Sequence, residues 1–337
     1  MKEALFYETI KDHMLRCTLC PRYCRLKPGQ HGFCYVRKNI DGKLYTLAYG
    51  KPYAVNVDPI EKKPLFHFLP GSKILSIGTA GCNMACKFCQ NWDISKAKYD
   101  QTRAIDLPPE RLVQLSFHYN ARGIAYTYNE PTIFAEYAMD TAELARANNL
   151  KNVMVTNGYI SPGAIPQVYK NIDGANVDLK AFSEDFYNKM TLSHLQPVLE
   201  TLQLLKRRNV WIEITNLIIP TLNDNIDEIR RMSEWILNNL GAETPLHFTA
   251  FHPDYKLTSI PPTMPSILLK AREEAQEVGL RYVYVGNVLN EEASSTYCHR
   301  CGALLIRRNW YTTSIVNLKN GKCTKCGEKL AGIFDEQ

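Results

Sequence analysis

At 337 residues the chain is long enough for one large domain with appendages or for two ordinary domains. With 45% hydrophobic and 22% charged residues it can bury a core, which excludes global disorder and a collagen-like or low-complexity chain. The formal net charge is +6 and there are 11 cysteines. No stretch approaches the ~18 consecutive apolar residues of a membrane-spanning helix. Glu3, Glu8, Lys11 and Asp12 stand where a secretory signal needs an apolar core, so a cytoplasmic chain without a membrane partner is expected. In a reducing compartment clustered cysteines read first as metal ligands rather than as disulfides.

The cysteines fall into three groups with none left over. Cys17, Cys20, Cys24 and Cys34 form C-x2-C-x3-C-x9-C near the start. This spacing suits zinc, the first expectation, and equally allows an additional iron–sulfur cluster.

The second group, Cys82, Cys86 and Cys89, forms C-x3-C-x2-C after an apolar run, Lys73 to Ile77, that reads as a strand. Three thiolates can hold three irons of a [4Fe–4S] cluster and leave the fourth iron with an open coordination position, as catalytic metal sites require. A structural site would close with a fourth protein ligand.

Beyond this loop, strand-like runs at Gly123 to Tyr128, Asn152 to Thr156, Ala175 to Leu179, Val210 to Ile218, Leu246 to Phe251 and Tyr282 to Val285 alternate with helix-like stretches. The helix candidates are Pro108 to Ala121, Pro131 to Asn148, His194 to Arg208, Asp224 to Leu240 and Pro265 to Val278. Strands separated by helices indicate right-handed β–α units on a parallel sheet, here an α/β partial barrel of six or so units. Function in such sheets lies at the carboxyl ends of the strands. Each run closes on a polar signature, among them Asn129-Glu130-Pro131, Thr156-Asn157-Gly158, Asp178-Leu179-Lys180, Thr215-Asn216, His252-Pro253 and Gly286-Asn287.

The third group, Cys298, Cys301, Cys323 and Cys326, forms two C-x2-C-G knuckles. Four thiolates on two glycine turns suit one tetrahedral zinc, or a single iron as in rubredoxin-like knuckles. The intervening Leu304-Leu305-Ile306 and Ile315-Val316-Asn317-Leu318 can supply a hairpin. Three modules are therefore expected: a cysteine-rich metal module over 1–70, a partial barrel over 71–292, and a ribbon-like metal module over 293–337.

Cys82, Cys86, Phe88 and Cys89 match the C-x3-C-x-aromatic-C hallmark, and the chain resembles the radical S-adenosylmethionine (SAM) superfamily. The resemblance implies a [4Fe–4S] cluster whose open iron chelates SAM, reductive cleavage of the sulfonium, and a 5′-deoxyadenosyl radical that abstracts hydrogen from a substrate. It also implies a flavodoxin- or ferredoxin-type electron donor. Asn129-Glu130-Pro131 occupies the place of the family's Gly-Gly-Glu motif, which implies that Glu130 receives the SAM amino group. Asn157 in Val-Thr-Asn-Gly and Lys180 in Asp-Leu-Lys resemble residues that glycyl-radical activating enzymes place around the SAM carboxylate and ribose; Asp178 is expected beside them as a cofactor contact or simply as the partner of Lys180; and His252 resembles a histidine near SAM in the same group. Where many activases carry an acid before Thr-Asn-Gly, this chain has Val155. The segments Arg16 to Arg25, Gly32-Phe33-Cys34 and Tyr126 to Thr132 resemble the AmmeMemoRadiSam branch, pyruvate formate-lyase activating enzyme-like proteins associated with Memo-like and AMMECR-like partners.

Two alternatives have their own signatures. A glycyl-radical activase would act on a protein backbone. A zinc-ribbon nucleic-acid binder with a non-catalytic barrel would use the basic charge. That charge is local, however: residues 1–40 hold eight Lys/Arg against three acids and residues 298–330 hold seven against one, whereas 41–297 hold 25 against 28. Two tetrathiolate sites at about −2 each and a three-cysteine cluster at about −1 bring the formal +6 to about +1. The basic residues therefore read as compensation for metal–thiolate charge, and nucleic acid is not the expected partner.

Overall fold

In a computed structural model of the chain, which describes residues 1–335, an eight-stranded sheet forms the centre. Glu336 and Gln337, the end of the expected C-terminal module, lie outside the described residues. Seven strands run parallel in chain order: Lys73–Gly78, Gly123–Tyr126, Lys151–Thr156, Gly174–Asp178, Trp211–Ile218, Leu246–Ala250 and Val283–Gly286. Their sequences are nearly continuous apolar runs because both faces are covered. Each strand pairs with the next in sequence, so right-handed crossovers bring the helices to one face and curl the sheet into an open barrel.

The helices are close to those expected: Pro109–His118, Ala135–Ala147, Gln196–Arg207, Ile226–Leu240 and Pro265–Val278. Asn225 caps the fourth through its side-chain oxygen, which accepts from the N–H groups of Asp227 and Glu228. Pro131 begins a separate 3-10 turn, Pro131–Phe134, rather than the long helix anticipated there. No described helix is long and apolar enough to cross a membrane.

An eighth strand, Ala54–Pro59, pairs antiparallel with Lys73–Gly78 and closes one edge of the sheet. It lies within the segment expected to form the N-terminal module. The residues before it make two small antiparallel sheets: Tyr7–Lys11, Met14–Cys17 and Arg25–Leu26 in one, Lys2–Glu3, Arg37–Ile40 and Lys43–Thr46 in the other. Their apolar residues, Leu15, Leu19, Leu26, Val36 and Leu44, belong to the same continuous core as the barrel strands. A buried ion pair ties them down: Arg37 donates to both carboxylate oxygens of Glu136 on the Ala135–Ala147 helix, one bond at 2.9 Å.

The C-terminal residues build the expected hairpin, Leu304–Asn309 against Thr312–Ile315, with Thr296–Tyr297 alongside. They dock on the barrel through a separate apolar cluster containing Phe66, Tyr282, Tyr284, Leu305 and Ile306. His67 links the two parts: its Nδ1 donates to the Ala331 carbonyl at 2.7 Å, and its Nε2 accepts from the Tyr284 hydroxyl at 2.6 Å. The backbone N–H groups of Phe66 and His67 donate to Oε2 and Oε1 of the buried Glu213, and His247 Nε2 lies 2.7 Å from the same Oε2.

Candidate active site

The loop carrying Cys82, Cys86 and Cys89 leaves the carboxyl end of the Lys73–Gly78 strand. Cys86 is buried and the other two are half-buried. A left-handed residue, Gly81, starts the loop at φ +86, and a Cβ there would lie 2.0 Å from the Cys34 carbonyl oxygen. Only glycine fits both demands. The loop is then pinned by Asn129: its Oδ1 accepts from Thr79 N–H at 3.0 Å, while its Nδ2 donates to Thr79 Oγ1 and to the Gly81 carbonyl. Further along, Ala85 N–H and Lys87 N–H donate to the carbonyls of Thr191 and Met190, and Lys96 Nζ donates to the Met84 carbonyl at 2.9 Å.

Glu130 is 1% exposed, and its carboxylate accepts four bonds from the protein. Oε1 takes Thr132 N–H, Thr132 Oγ1 and Thr156 Oγ1, and Oε2 takes Asn157 N–H at 2.7 Å. A carboxylate offers about four acceptor sites, two on each oxygen, so Oε1 is fully engaged while Oε2 keeps one position beside the Asn157 N–H. Burial pushes its pKa above the ordinary value against those donors. Glu130 thereby fixes the ends of two strands relative to each other.

Asn157 lies next to the cysteines. Its Nδ2 is 3.8 Å from Cys82 Sγ and donates to Asn83 Oδ1 at 2.9 Å, and its Oδ1 accepts from Tyr159 N–H. The Met84 N–H reaches Cys82 Sγ at 3.4 Å. Lys180 sits beside Cys86 and pairs with Asp178 at 2.8 Å. Burial works against the Lys180 ammonium, but Asp178 and Cys86 outweigh it and hold it above the ordinary lysine range. Phe88 is buried against Phe186, with Lys180 Nζ 5.8 Å from its ring centroid. His252 is exposed on the loop after Leu246–Ala250, and its Nδ1 lies 3.3 Å from the Pro253 carbonyl. Thr215 and Asn216 differ from expectation. They lie inside the Trp211–Ile218 strand, where Thr215 Oγ1 donates to Asn176 Oδ1 and Asn216 Nδ2 to the Leu179 carbonyl, so they brace the sheet rather than end it.

The donor set fits a [4Fe–4S] cluster with one open position: three thiols on one loop, the other eight cysteines belonging to two separate groups. Burial pushes the Cys82 and Cys86 thiols up, with Lys96 and Lys180 among the cations opposing it, so a bound metal's own charge is what would hold them as thiolates. Thr79, Asn83 and Lys96 are site residues that pattern reading passed over. The polar residue next to the first cysteine was the available signal for Asn83, whereas Lys96 in a charged stretch carried none.

The C-terminal cysteines form the tightest group. Their four sulfurs all lie within 4.8 Å of one another, with Cys298 to Cys326 at 3.6 Å and Cys301 to Cys323 at 3.8 Å. A tetrahedron with metal–sulfur bonds of about 2.3 Å has edges of about 3.8 Å, so one zinc or one iron fits here.

Residues 76–236 match the family described as the radical SAM superfamily. An uncharacterized protein of Methanocaldococcus jannaschii is 47% identical over 332 residues, covering 98% of this chain and 99% of that protein. The pyruvate formate-lyase-activating enzyme of Clostridium pasteurianum is 23% identical over 199 residues, 53% of this chain and 80% of the enzyme. The pyruvate formate-lyase 1-activating enzyme of Escherichia coli K12 is 21% identical over 231 residues, 64% of this chain and 93% of the enzyme. A radical SAM methyltransferase from Sphaerobacter thermophilus shares the fold, with a TM-score of 0.52 at 12% identity over 65% of this chain and 67% of that one. By its cysteine loop, its parallel barrel and these relatives, the chain belongs to the radical SAM superfamily of enzymes and is related to the pyruvate formate-lyase activating enzymes.

Proposed function

We propose that Cys82, Cys86 and Cys89 hold a [4Fe–4S] cluster at which the protein cleaves SAM reductively, and that the radical so formed abstracts hydrogen from a separate substrate. The observation that carries this reading is the three-thiol loop at the carboxyl end of the first parallel strand, pinned by Asn129 and faced by Asn157 and Lys180. When bound, the cluster and SAM supply the electron transfer and the radical. The chain's own residues orient and enclose them. Asn129 sets the loop, Phe88 anchors it by packing against Phe186, and Lys180 brings positive charge to the cysteine ligands. Asn157 offers an amide to Cys82 and to whatever lies beside it, with Asp178 and His252 on the same rim.

Glu130 holds Thr132 and Thr156 through Oε1 and the Asn157 N–H through Oε2, and the remaining acceptor position of Oε2 suits the SAM amino group that the family resemblance assigns to it. The electron comes from a flavodoxin- or ferredoxin-type donor. We infer Memo-like and AMMECR-like proteins as partners from the resemblance carried by Arg16 to Arg25 and Tyr126 to Thr132. The three-module division, with metal modules flanking the barrel, belongs to the same proposal.

After anaerobic reconstitution with iron and sulfide, a low-potential reductant is expected to convert SAM to 5′-deoxyadenosine and methionine. No conversion above the protein-free rate would overturn the reading. The activase relatives favour a second possibility, that the hydrogen comes from a protein glycine. Electron paramagnetic resonance after mixing with a glycyl-radical protein distinguishes it by a carbon-centred doublet.

A further inference from the structure

The N-terminal cysteines gather without packing as the C-terminal four do. Cys17, Cys20, Cys24 and Cys34 line one pocket, together with Arg22, Gly32, Arg37 and Asn83. Gly32 leaves bare a point 3.8 Å from Cys24 Sγ and 3.7 Å from Cys34 Sγ, where any other residue would place a Cβ. Yet among the described residues the C-terminal set is the one group of three or more potential ligands whose donor atoms all fall within 4.8 Å. The N-terminal four therefore share a pocket while standing wider than a single tetrahedral ion draws its ligands.

The chain contains its own yardstick for that spacing. The Cys82, Cys86 and Cys89 trio, in the loop that marks the superfamily, is likewise absent from the tight sets. A four-iron cluster attaches each thiolate to a different iron, which spreads the sulfurs beyond the edge of a single-ion tetrahedron. By this measure the N-terminal four resemble the loop trio and not the C-terminal knuckles.

A second observation concerns Arg37, which lines the same pocket. Arg37 is 2% exposed, and its Nε–H has no hydrogen-bond partner although its other nitrogens are engaged by Glu136. An orphaned buried guanidinium donor is costly unless something accepts its proton. Arg37 lines the pocket beside the cysteines, where the anionic sulfurs of a bound metal site would be acceptors of the type this donor lacks. The site also shares a wall with the loop trio: the Cys34 carbonyl packs on Gly81, next to Cys82, and Asn83 lines the pocket while its side chain bonds Asn157.

We propose that Cys17, Cys20, Cys24 and Cys34 hold a second [4Fe–4S] cluster, separate from the SAM-cleaving one, and that the C-terminal four hold a single ion. The sulfur spacing replaces zinc as the first expectation at the N-terminal site. The comparison uses the proposed role of the Cys82 loop as its reference, and the test keeps the two apart.

Acid-labile sulfide is diagnostic because a mononuclear site contains none. In the full chain carrying Cys82→Ala, Cys86→Ala and Cys89→Ala, reconstituted with iron and sulfide, about four labile sulfides per chain are expected, and adding Cys20→Ser and Cys24→Ser should remove them. Should the triple variant not fold, the unaltered protein carries the test, with about eight sulfides falling to about four on Cys20→Ser and Cys24→Ser. A triple variant free of sulfide, or a wild-type content of about four that the N-terminal substitutions leave unchanged, would overturn the second cluster. If instead the triple variant matched wild type at about four, the Cys82 loop and not the N-terminal site would have failed.

Discussion

Asn129 shows how much one side chain can decide. Standing in the place of the family's glycine pair, it makes three bonds to the start of the cysteine loop. Replacing it by alanine leaves the buried Thr79 N–H unpaired at a cost of about 1–3 kcal/mol. Asn129→Ala is expected to lower the melting temperature and to reduce iron retained after reconstitution, measured by thermal unfolding and metal analysis. Unchanged iron content would show that the loop holds its own shape. Glu130 carries the same lesson, because its motif position says nothing of the protein donors that engage its Oε1 and hold the Asn157 N–H on its Oε2. The identity of a motif residue is legible in sequence. Its hydrogen-bond partners, which come from Thr132, Thr156 and Asn157 on neighbouring segments, are not.

Elements were read more faithfully than contacts. The parallel strands and the five main helices follow from apolar runs and amphipathic spacing, and their ends shift by only a few residues. Ala54–Pro59 escaped because AVNVDP has a short, half-polar pattern and pairs on an edge, where one side faces solvent. The buried Glu213 and His247 inside strands were equally silent, since a charged residue in an apolar run announces burial only once its partners are known. The segment around His67 illustrates how elements are joined and yields a pH prediction. Burial holds the neutral imidazole, lowering its pKa from 6.5 to about 4. Between those values the unfolded chain binds a proton that the folded chain does not, so stability is complete above about 6.5 and declines as pH falls toward about 4, by on the order of 3 kcal/mol. Thermal unfolding across that range should show the decline, and His67→Gln should flatten it. An identical slope in the variant would assign the dependence elsewhere.

Across the whole molecule, the three cysteine groups organise both charge and architecture. Compensation of metal–thiolate charge predicts no nucleic-acid binding at low salt by the metallated protein; tight binding that fell steeply with added salt would restore that reading. The C-terminal module rests on the barrel through His67, Arg308 and the Phe66 cluster. Cys301→Ser is expected to release its metal and loosen the hairpin while leaving SAM cleavage above half the original rate; complete loss of cleavage would make this module part of the catalytic machinery. The central claim is that the Cys82 loop is where SAM is broken. It is tested most directly by measuring 5′-deoxyadenosine formation under reducing, anaerobic conditions in the wild type and in Cys82→Ala, with circular dichroism confirming the fold of both. The account predicts robust formation in the wild type and loss to background in the variant; unchanged turnover in a folded Cys82→Ala protein would contradict it.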